Sequence, residues 1–261
     1  MDWIQALILG LIQGLTEFLP VSSSGHLELG KHILGVEVTE DLTFTVVVHG
    51  ATVLSTIIVF RKTIVELFRD FFKFQWNEST QYVFKIAVSM IPVVIIGLLF
   101  KDEIEGLFTG NILFVGLMLI VTSALLAFTY YAKEKEKEIS FKNAFIIGIA
   151  QALAVIPGIS RSGATIATGL YLGNKKEDVA KFSFLMVLVP IIAANVKDLM
   201  DFDYATQSST SINTLIIGFI AAFVSGLLAC TWMLRIVKRG KLIYFALYCF
   251  IIGIIAIFFS F

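Results

Sequence analysis

The 261-residue chain has little charge: only 15% of its residues are Asp, Glu, Lys or Arg, against roughly 25% in soluble domains. With 57% hydrophobic residues and a mean hydropathy of +0.89, that scarcity excludes a soluble globular protein and points to an integral membrane protein. Acids and bases balance to a formal net charge of zero, so bulk charge names no partner. The two cysteines, Cys230 and Cys249, lie in apolar runs without metal-type spacing and read as packing residues. A Rossmann glycine pattern, a P-loop, a zinc motif and a basic aromatic patch are all missing, which removes the usual nucleotide and nucleic-acid readings. Met1-Asp2-Trp3 carries no basic region or small-residue cleavage site of a secretory signal, so the first helix is taken as part of the mature protein.

What is present are recurrent apolar runs near the ~20 residues that cross a bilayer as a helix. An all-α integral membrane protein follows, because open backbone in lipid leaves polar groups unsatisfied. Residues 4–18 form a short apolar helix stopped at Pro20, and a second short piece runs over about 23–34. Two short helices around a polar break read as a re-entrant hairpin, tolerated at membrane depth only beside a protein-lined or watery cavity. Spans follow at about 42–60, 82–100 and 111–131. Between the first two, Arg61 to Thr80 mixes Phe68, Phe71, Phe72, Phe74 and Trp76 with charges and reads as a surface-lying amphipathic segment. The run Lys133-Glu134-Lys135-Glu136-Lys137-Glu138 reads as a solvated loop, within a divider at 132–142.

The second half repeats the plan, with a hairpin at about 143–172 and spans at about 178–198, 212–234 and 242–260. A shift of 138 residues aligns Gly10 with Gly148, Gln13 with Gln151, Ser22 with Ser160, Ser24 with Ser162 and Gly25 with Gly163. A hairpin plus three spans is an odd number of crossings, so halves 1–131 and 143–261 are expected to insert in opposite senses as an inverted repeat. On that topology 16 Lys and Arg residues fall on one face and three, Lys31, Lys101 and Lys197, on the other. The bias puts the first face in the cytoplasm and both termini outside.

Two polar stretches carry the chemistry. Gln13 and Glu17 share a helix face at a spacing of four, and an acid in the membrane is costly unless it meets a cation, a metal or water. Ser22, Ser23 and Ser24 precede the second short helix. One of them serves as a cap, while Gly25 permits close backbone approach and the helix start is an anion site. His26 follows within a turn, read either as packing or as chemistry. The matching stretch, Pro157 to Thr165, holds Ser160, Arg161, Ser162, Gly163 and Thr165. Arg161 is the one base that the topology leaves inside the membrane, and an arginine fork among hydroxyls suits phosphate oxygens. A structural alternative is an Arg161–Glu17 ion pair joining the hairpins. Thr45, His49 and Asn195 read as helix–helix hydrogen-bonding residues.

Glu17-Phe-Leu-Pro-Val-Ser-Ser-Ser-Gly-His26 and Pro157-Gly-Ile-Ser-Arg-Ser-Gly-Ala-Thr165 resemble the paired signatures of the undecaprenyl-diphosphate phosphatases of the bacitracin-resistance type. The resemblance covers essentially the whole chain. It implies hydrolysis of undecaprenyl diphosphate to the monophosphate carrier and inorganic phosphate, on the outer side of the bacterial cytoplasmic membrane. That reaction recycles the carrier for cell-wall synthesis. The resemblance also implies a divalent cation, magnesium or calcium. Glu17 would bind the metal or act as a base, with Gln13 as a second ligand. Ser23 would be the nucleophile or its positioner, and His26 a general acid/base or alternative nucleophile. Ser160, Arg161 and Thr165 would hold the diphosphate. Many members carry glutamate where this chain has Gln13, which shifts metal binding onto Glu17. The expected partners are the polyprenyl diphosphate and membrane lipids, with no nucleic acid; a homodimer is compatible with the sequence. The competing reading is a polyprenyl-phosphate transporter on the same inverted-repeat fold.

Overall fold

The computed structural model describes residues 1–36, 42–107, 110–132, 136–200 and 211–260. Within them all regular structure is helical, and the β-type contact is one isolated bridge between Lys137 and Asn174. The helices are α1 (Trp3–Phe18), α2 (Ser23–Leu34), α3 (Leu42–Val59), α4 (Arg61–Phe71), α5 (Glu78–Leu99), α6 (Lys101–Glu105) and α7 (Ile112–Phe128). The second half contributes α8 (Phe141–Leu153), α9 (Arg161–Tyr171), α10 (Lys176–Met186), α11 (Leu188–Met200), α12 (Ile212–Lys238) and α13 (Ile243–Phe258).

Local chemistry sets their ends. Asp2 and Gln5 form a reciprocal capping box at the start of α1, and Gln5 Nε2 reaches the Leu34 carbonyl at 3.0 Å, tying the hairpin's two outer ends together. Pro20 forces Leu19 into extended backbone (φ −72°, ψ 146°) and ends the helix. Gly35, at φ 65°, closes α2 in the left-handed region that glycine adopts freely. Ser140, Ser160 and Ser211 cap α8, α9 and α12 through side-chain oxygens.

α5, α7 with its trailing turn to Tyr131, and α12 are long and apolar enough to cross a membrane. α3 and α4 would form one more span but are bent by 74°. α4 has no buried residue and exposes Val65 and Phe68, with Phe72, Phe74 and Trp76 exposed just beyond it.

One expectation changes. The span at 178–198 is not one helix but two, α10 and α11, separated at Val187. Pro190 explains the break: its ring would crowd the Met186 carbonyl of a continuous helix, whereas in the first turn of α11 its missing N–H leaves no bond unmade. The Lys/Glu loop is exposed at Glu136, Lys137 and Glu138, as a solvated loop should be, and its backbone is also anchored. Residues 133–135 lie outside the described residues, but Lys137 N donates to the Gly173 carbonyl at 3.1 Å. Asn174 Nδ2 donates to the Glu138 carbonyl at 2.9 Å, so the loop is pinned to the turn after α9.

The opening helix of each half lies along the second long helix of the other: α1 against α12, and α8 against α5. The last helices, α7 and α13, pack together. Lipid supplies no hydrophobic drive between helices, so close packing of small residues does the work. Ala6, Gly10 and Gly14 recur every fourth residue along α1 and meet Gly218, Ala221, Ala222, Ser225 and Gly226 of α12. A Cβ on Gly10 would lie 2.5 Å from the Gly218 carbonyl oxygen, and one on Gly14 would collide with Ser225 Oγ and the Ala222 carbonyl. The outer face of α12 instead presents Ile216, Ile220, Val224 and Leu228, an apolar stripe suited to lipid.

Gly14→Leu should therefore overpack this seam and destabilise the protein by about 1–3 kcal/mol or more, seen as a lower unfolding midpoint in detergent. Gly97→Ala, where a Cβ meets nothing within 4 Å, should be neutral or stabilising by about 0.5–1 kcal/mol, as expected for glycine in a helix interior. Equal midpoints for the two variants would refute the close-packing account.

Candidate active site

The breaks of the two hairpins meet at the centre of the protein. Ser162 Oγ donates to the Leu19 carbonyl at 3.1 Å, and a Cβ on Gly25 would lie 3.1 Å from Gly158 Cα. Gly158 itself has φ 92°, and its carbonyl accepts from Thr122 Oγ1 of α7 at 2.9 Å. The Ser160 N–H donates to the same hydroxyl at 3.0 Å, so α7 holds the second break in place. Ser22, at φ 69°, is a non-glycine residue in left-handed backbone, a conformation costing about 1–3 kcal/mol that persists where surrounding structure enforces it.

Glu17 is the hub. Its buried carboxylate receives the Arg161 guanidinium on Oε1, while Ser23 Oγ donates to Oε2 at 2.6 Å and Gln13 Nε2 to the same oxygen at 3.0 Å. Hairpin one thus supplies the acid, the hydroxyl and the amide, and hairpin two the cation. The Arg161–Glu17 pair, weighed in the sequence as an alternative to phosphate binding, is present. Its side chains are 20% and 5% exposed, so solvent screens it weakly.

Beside this cluster lies a cavity of about 360 Å³. Ser22, Ser23, Ser24, Ser160, Arg161 and Ser162 line its polar side together with Glu17. The apolar side includes Val46, Val93, Val155, Ile159, Val187 and Ile191. Ser22 Oγ caps α2 on Gly25 N at 3.3 Å, and Ser160 Oγ caps α9 on Gly163 N at 3.0 Å. Two helix N-termini, α2 and α9, therefore begin at one cavity, a natural setting for an anion.

Other expected residues stand elsewhere. His26 is buried outside the cavity lining: its Nδ1 lies 2.8 Å from the Ser22 carbonyl and its Nε2 2.9 Å from the Tyr248 hydroxyl, with the two rings stacked 5.5 Å apart. Thr165 is fully buried and bonded to the Arg161 carbonyl at 2.8 Å and Ser183 Oγ at 2.6 Å, away from the cavity. Gly25 and Gly163 act through close packing; a Cβ on Gly163 would lie 3.3 Å from Pro20 Cβ. Gln13 lies behind Glu17, fully buried, with Oε1 lacking any partner among the described residues.

Conversely, Thr45, His49 and Asn195, taken as helix-packing residues, all line the cavity, and so does Gln151. Gln151 is the residue that the 138-residue shift aligns with Gln13, and its Oε1 is likewise buried without a partner among the described residues. The repeat alignment held that signal, and the four-residue spacing of Thr45 and His49 held the other. Among the described residues no group of three or more His, Cys, Asp or Glu side chains could hold a metal.

Comparison with known proteins covers nearly the whole chain. The family model for bacitracin resistance protein BacA matches residues 6–255. The chain belongs to this family. It is 58% identical over 260 residues to the undecaprenyl-diphosphatase of Bacteroides fragilis, covering 98% of each chain. It is 57% identical to that of Christiangramia forsetii, covering 100% of this chain and 99% of the relative. The undecaprenyl-diphosphatase of Methanosphaera stadtmanae is 40% identical over 281 residues, with the same coverage.

The buried pair makes a stability prediction. Arg161→Gln strands the Glu17 charge and should cost about 3–5 kcal/mol, whereas the Glu17→Gln/Arg161→Gln double variant should recover much of that loss. Denaturant unfolding of the purified protein reads the coupling; additive losses would mean that the two side chains act independently.

Proposed function

We propose that this protein hydrolyses undecaprenyl diphosphate to undecaprenyl phosphate and inorganic phosphate, recycling the lipid carrier for cell-wall synthesis. The observation that carries this reading is Ser23 Oγ donating to Glu17 at 2.6 Å at the edge of the cavity, with Arg161 on the carboxylate's other oxygen. A hydroxyl on a carboxylate is a nucleophile with its base attached. A guanidinium beside two helix starts is a phosphate cradle.

Ser23 Oγ attacks the terminal phosphorus, Glu17 takes its proton, and the lipid monophosphate leaves with the bridging oxygen. The diphosphate competes for Arg161 and draws it from Glu17. The freed carboxylate is a stronger base once the guanidinium is turned to the substrate, so binding itself arms the nucleophile. Ser160, Ser162 and the α9 N-terminus hold the anion, and the apolar wall of the cavity accepts the start of the polyprenyl chain. His26 acts by position: with Nδ1–H on the Ser22 carbonyl and Nε2 accepting from Tyr248, it braces the strained turn that presents Ser23.

A magnesium or calcium ion fits this donor set in part. Glu17 is a lone carboxylate, but the partnerless Gln13 Oε1 beside it is an oxygen in search of a ligand. Such ions are commonly held by one or two carboxylates plus substrate phosphates. The bound cation would neutralise charge on the diphosphate.

The exchange of opening helices between halves supports the inverted repeat, with α1–α12 answering α8–α5. The lysine and arginine bias supports the reading in which both termini and the mouth of the site face the outer side of the bacterial cytoplasmic membrane. The same repeat is also a transporter plan, and carriage of the lipid phosphate is the second reading; the Ser23–Glu17 bond favours chemistry, since binding alone needs no nucleophile.

Purified protein with a divalent cation should release phosphate from a polyprenyl diphosphate, and chelation should stop it. Arg161→Ala should lower kcat/KM by about 10²–10³-fold, and Ser23→Ala should reduce release to background. A wild type that releases no phosphate sinks the hydrolase reading and leaves transport in front.

A further inference from the structure

His49 stands on α3 in the wall of the same cavity as Glu17, Ser23 and Arg161. Its Nδ1 lies 2.8 Å from the Thr45 carbonyl, one turn back on the helix. A carbonyl only accepts, so Nδ1 carries the proton and the neutral ring keeps Nε2 as a bare acceptor. Among the described residues Nε2 has no hydrogen-bond partner. The charged groups facing the ring are Glu17 from α1, Arg161 from α9 and, through Thr45 Oγ1 at 3.2 Å, Lys31 from α2.

The reaction proposed above has two displacements, and each brings a proton to be moved. Glu17 already accepts from three donors, and in the first displacement it takes the Ser23 proton. The second displacement brings a water to the phosphoserine, and that water's proton needs another acceptor. Of the side chains lining the cavity, His49 offers an imidazole lone pair that no other described group claims, a nitrogen that can take a proton where an amide oxygen such as that of Gln151 does not.

We infer that His49 is a catalytic base of this reaction, its Nε2 taking the proton of the water that hydrolyses the phosphoserine at Ser23. The inference rests on the diphosphate-hydrolysis reading. In this step the bond from water oxygen to phosphorus forms and the Ser23 Oγ–phosphorus bond breaks. Oγ keeps the electron pair and recovers the proton held by Glu17, while the water's proton passes to Nε2 and then to the departing phosphate or solvent. Fixing Nδ1–H on Thr45 gives the ring one orientation and one tautomer, the usual requirement for a histidine base.

The test is steady-state and single-turnover hydrolysis of a polyprenyl diphosphate by full-length His49→Gln and His49→Ala proteins. The expected result is a kcat lower by about 10²–10⁴-fold with KM little changed, and loss of the limb of the pH profile on which activity falls as the ring protonates. His49→Gln should also release one lipid monophosphate per protein without inorganic phosphate, leaving a phosphoryl group on Ser23 visible in the intact mass. Added imidazole should restore His49→Ala. Wild-type rates with an unchanged pH profile would overturn the inference. A uniform loss at every pH, with no phosphoprotein and no imidazole rescue, would also overturn it, because that is how a purely structural residue behaves. Failure of the underlying reading looks different: the wild type itself would release no phosphate.

Discussion

A carboxylate buried inside a membrane protein must be neutralised or paired, and the arrangement of this molecule follows from how Glu17 meets that demand. The partner comes from the other half of the chain. Arg161 begins α9 and Glu17 sits near the end of α1, 144 residues apart in sequence. Holding the two together requires both hairpins to reach the same depth with their breaks in contact. The Ser162–Leu19 hydrogen bond and the close approach of Gly25 to Gly158 provide that contact.

The same demand accounts for the small-residue seams. Hairpins of two short helices bury little surface of their own and need long helices pressed against them. Glycines on α1, α8 and α12 let backbones approach where side chains would hold them apart. The strained Ser22 and the positive-φ Gly158 are the local cost of turning the chain sharply at the meeting point. An ion pair that substrate can enter is then more than a structural tie. In the proposed reaction each partner of the pair has a use once a phosphate arrives, Arg161 for the anion and Glu17 for the hydroxyl proton. This coupling gives a physical reason for placing a costly ion pair at the floor of a cavity.

Much of this was legible in the chain. Helical class, hairpin breaks and the polar stretches around Glu17 and Arg161 stand out because lipid penalises polar residues and tolerates them only where something answers them. Proline and serine mark helix ends through local backbone chemistry, so Pro20, Ser140 and Ser160 could be read from a few neighbouring residues. Pro190 was present too, yet the apolar run around it masked the break between α10 and α11. Composition reports that a stretch is buried in lipid or protein, and does not report where its helix breaks. The positions of His26 and His49 were less accessible. A motif says that a histidine is near serines in sequence, whereas the helix rotation that turns His26 toward Tyr248 and leaves His49 on the cavity wall depends on packing between distant elements.

By itself the sequence determined that the protein lives in a membrane, is helical, and keeps an acid and an arginine in two polar stretches that interrupt its apolar runs. Those properties arise from solvent transfer and short-range backbone preference, which act residue by residue. Only the tertiary structure decided that Glu17 binds Arg161, Ser23 and Gln13 at once. It also decided that Thr165 turns to Ser183 and that Gln151 and His49 share the cavity. Side-chain partnership across more than a hundred residues is set by how helices rotate and seat against one another, and no local rule carries that information.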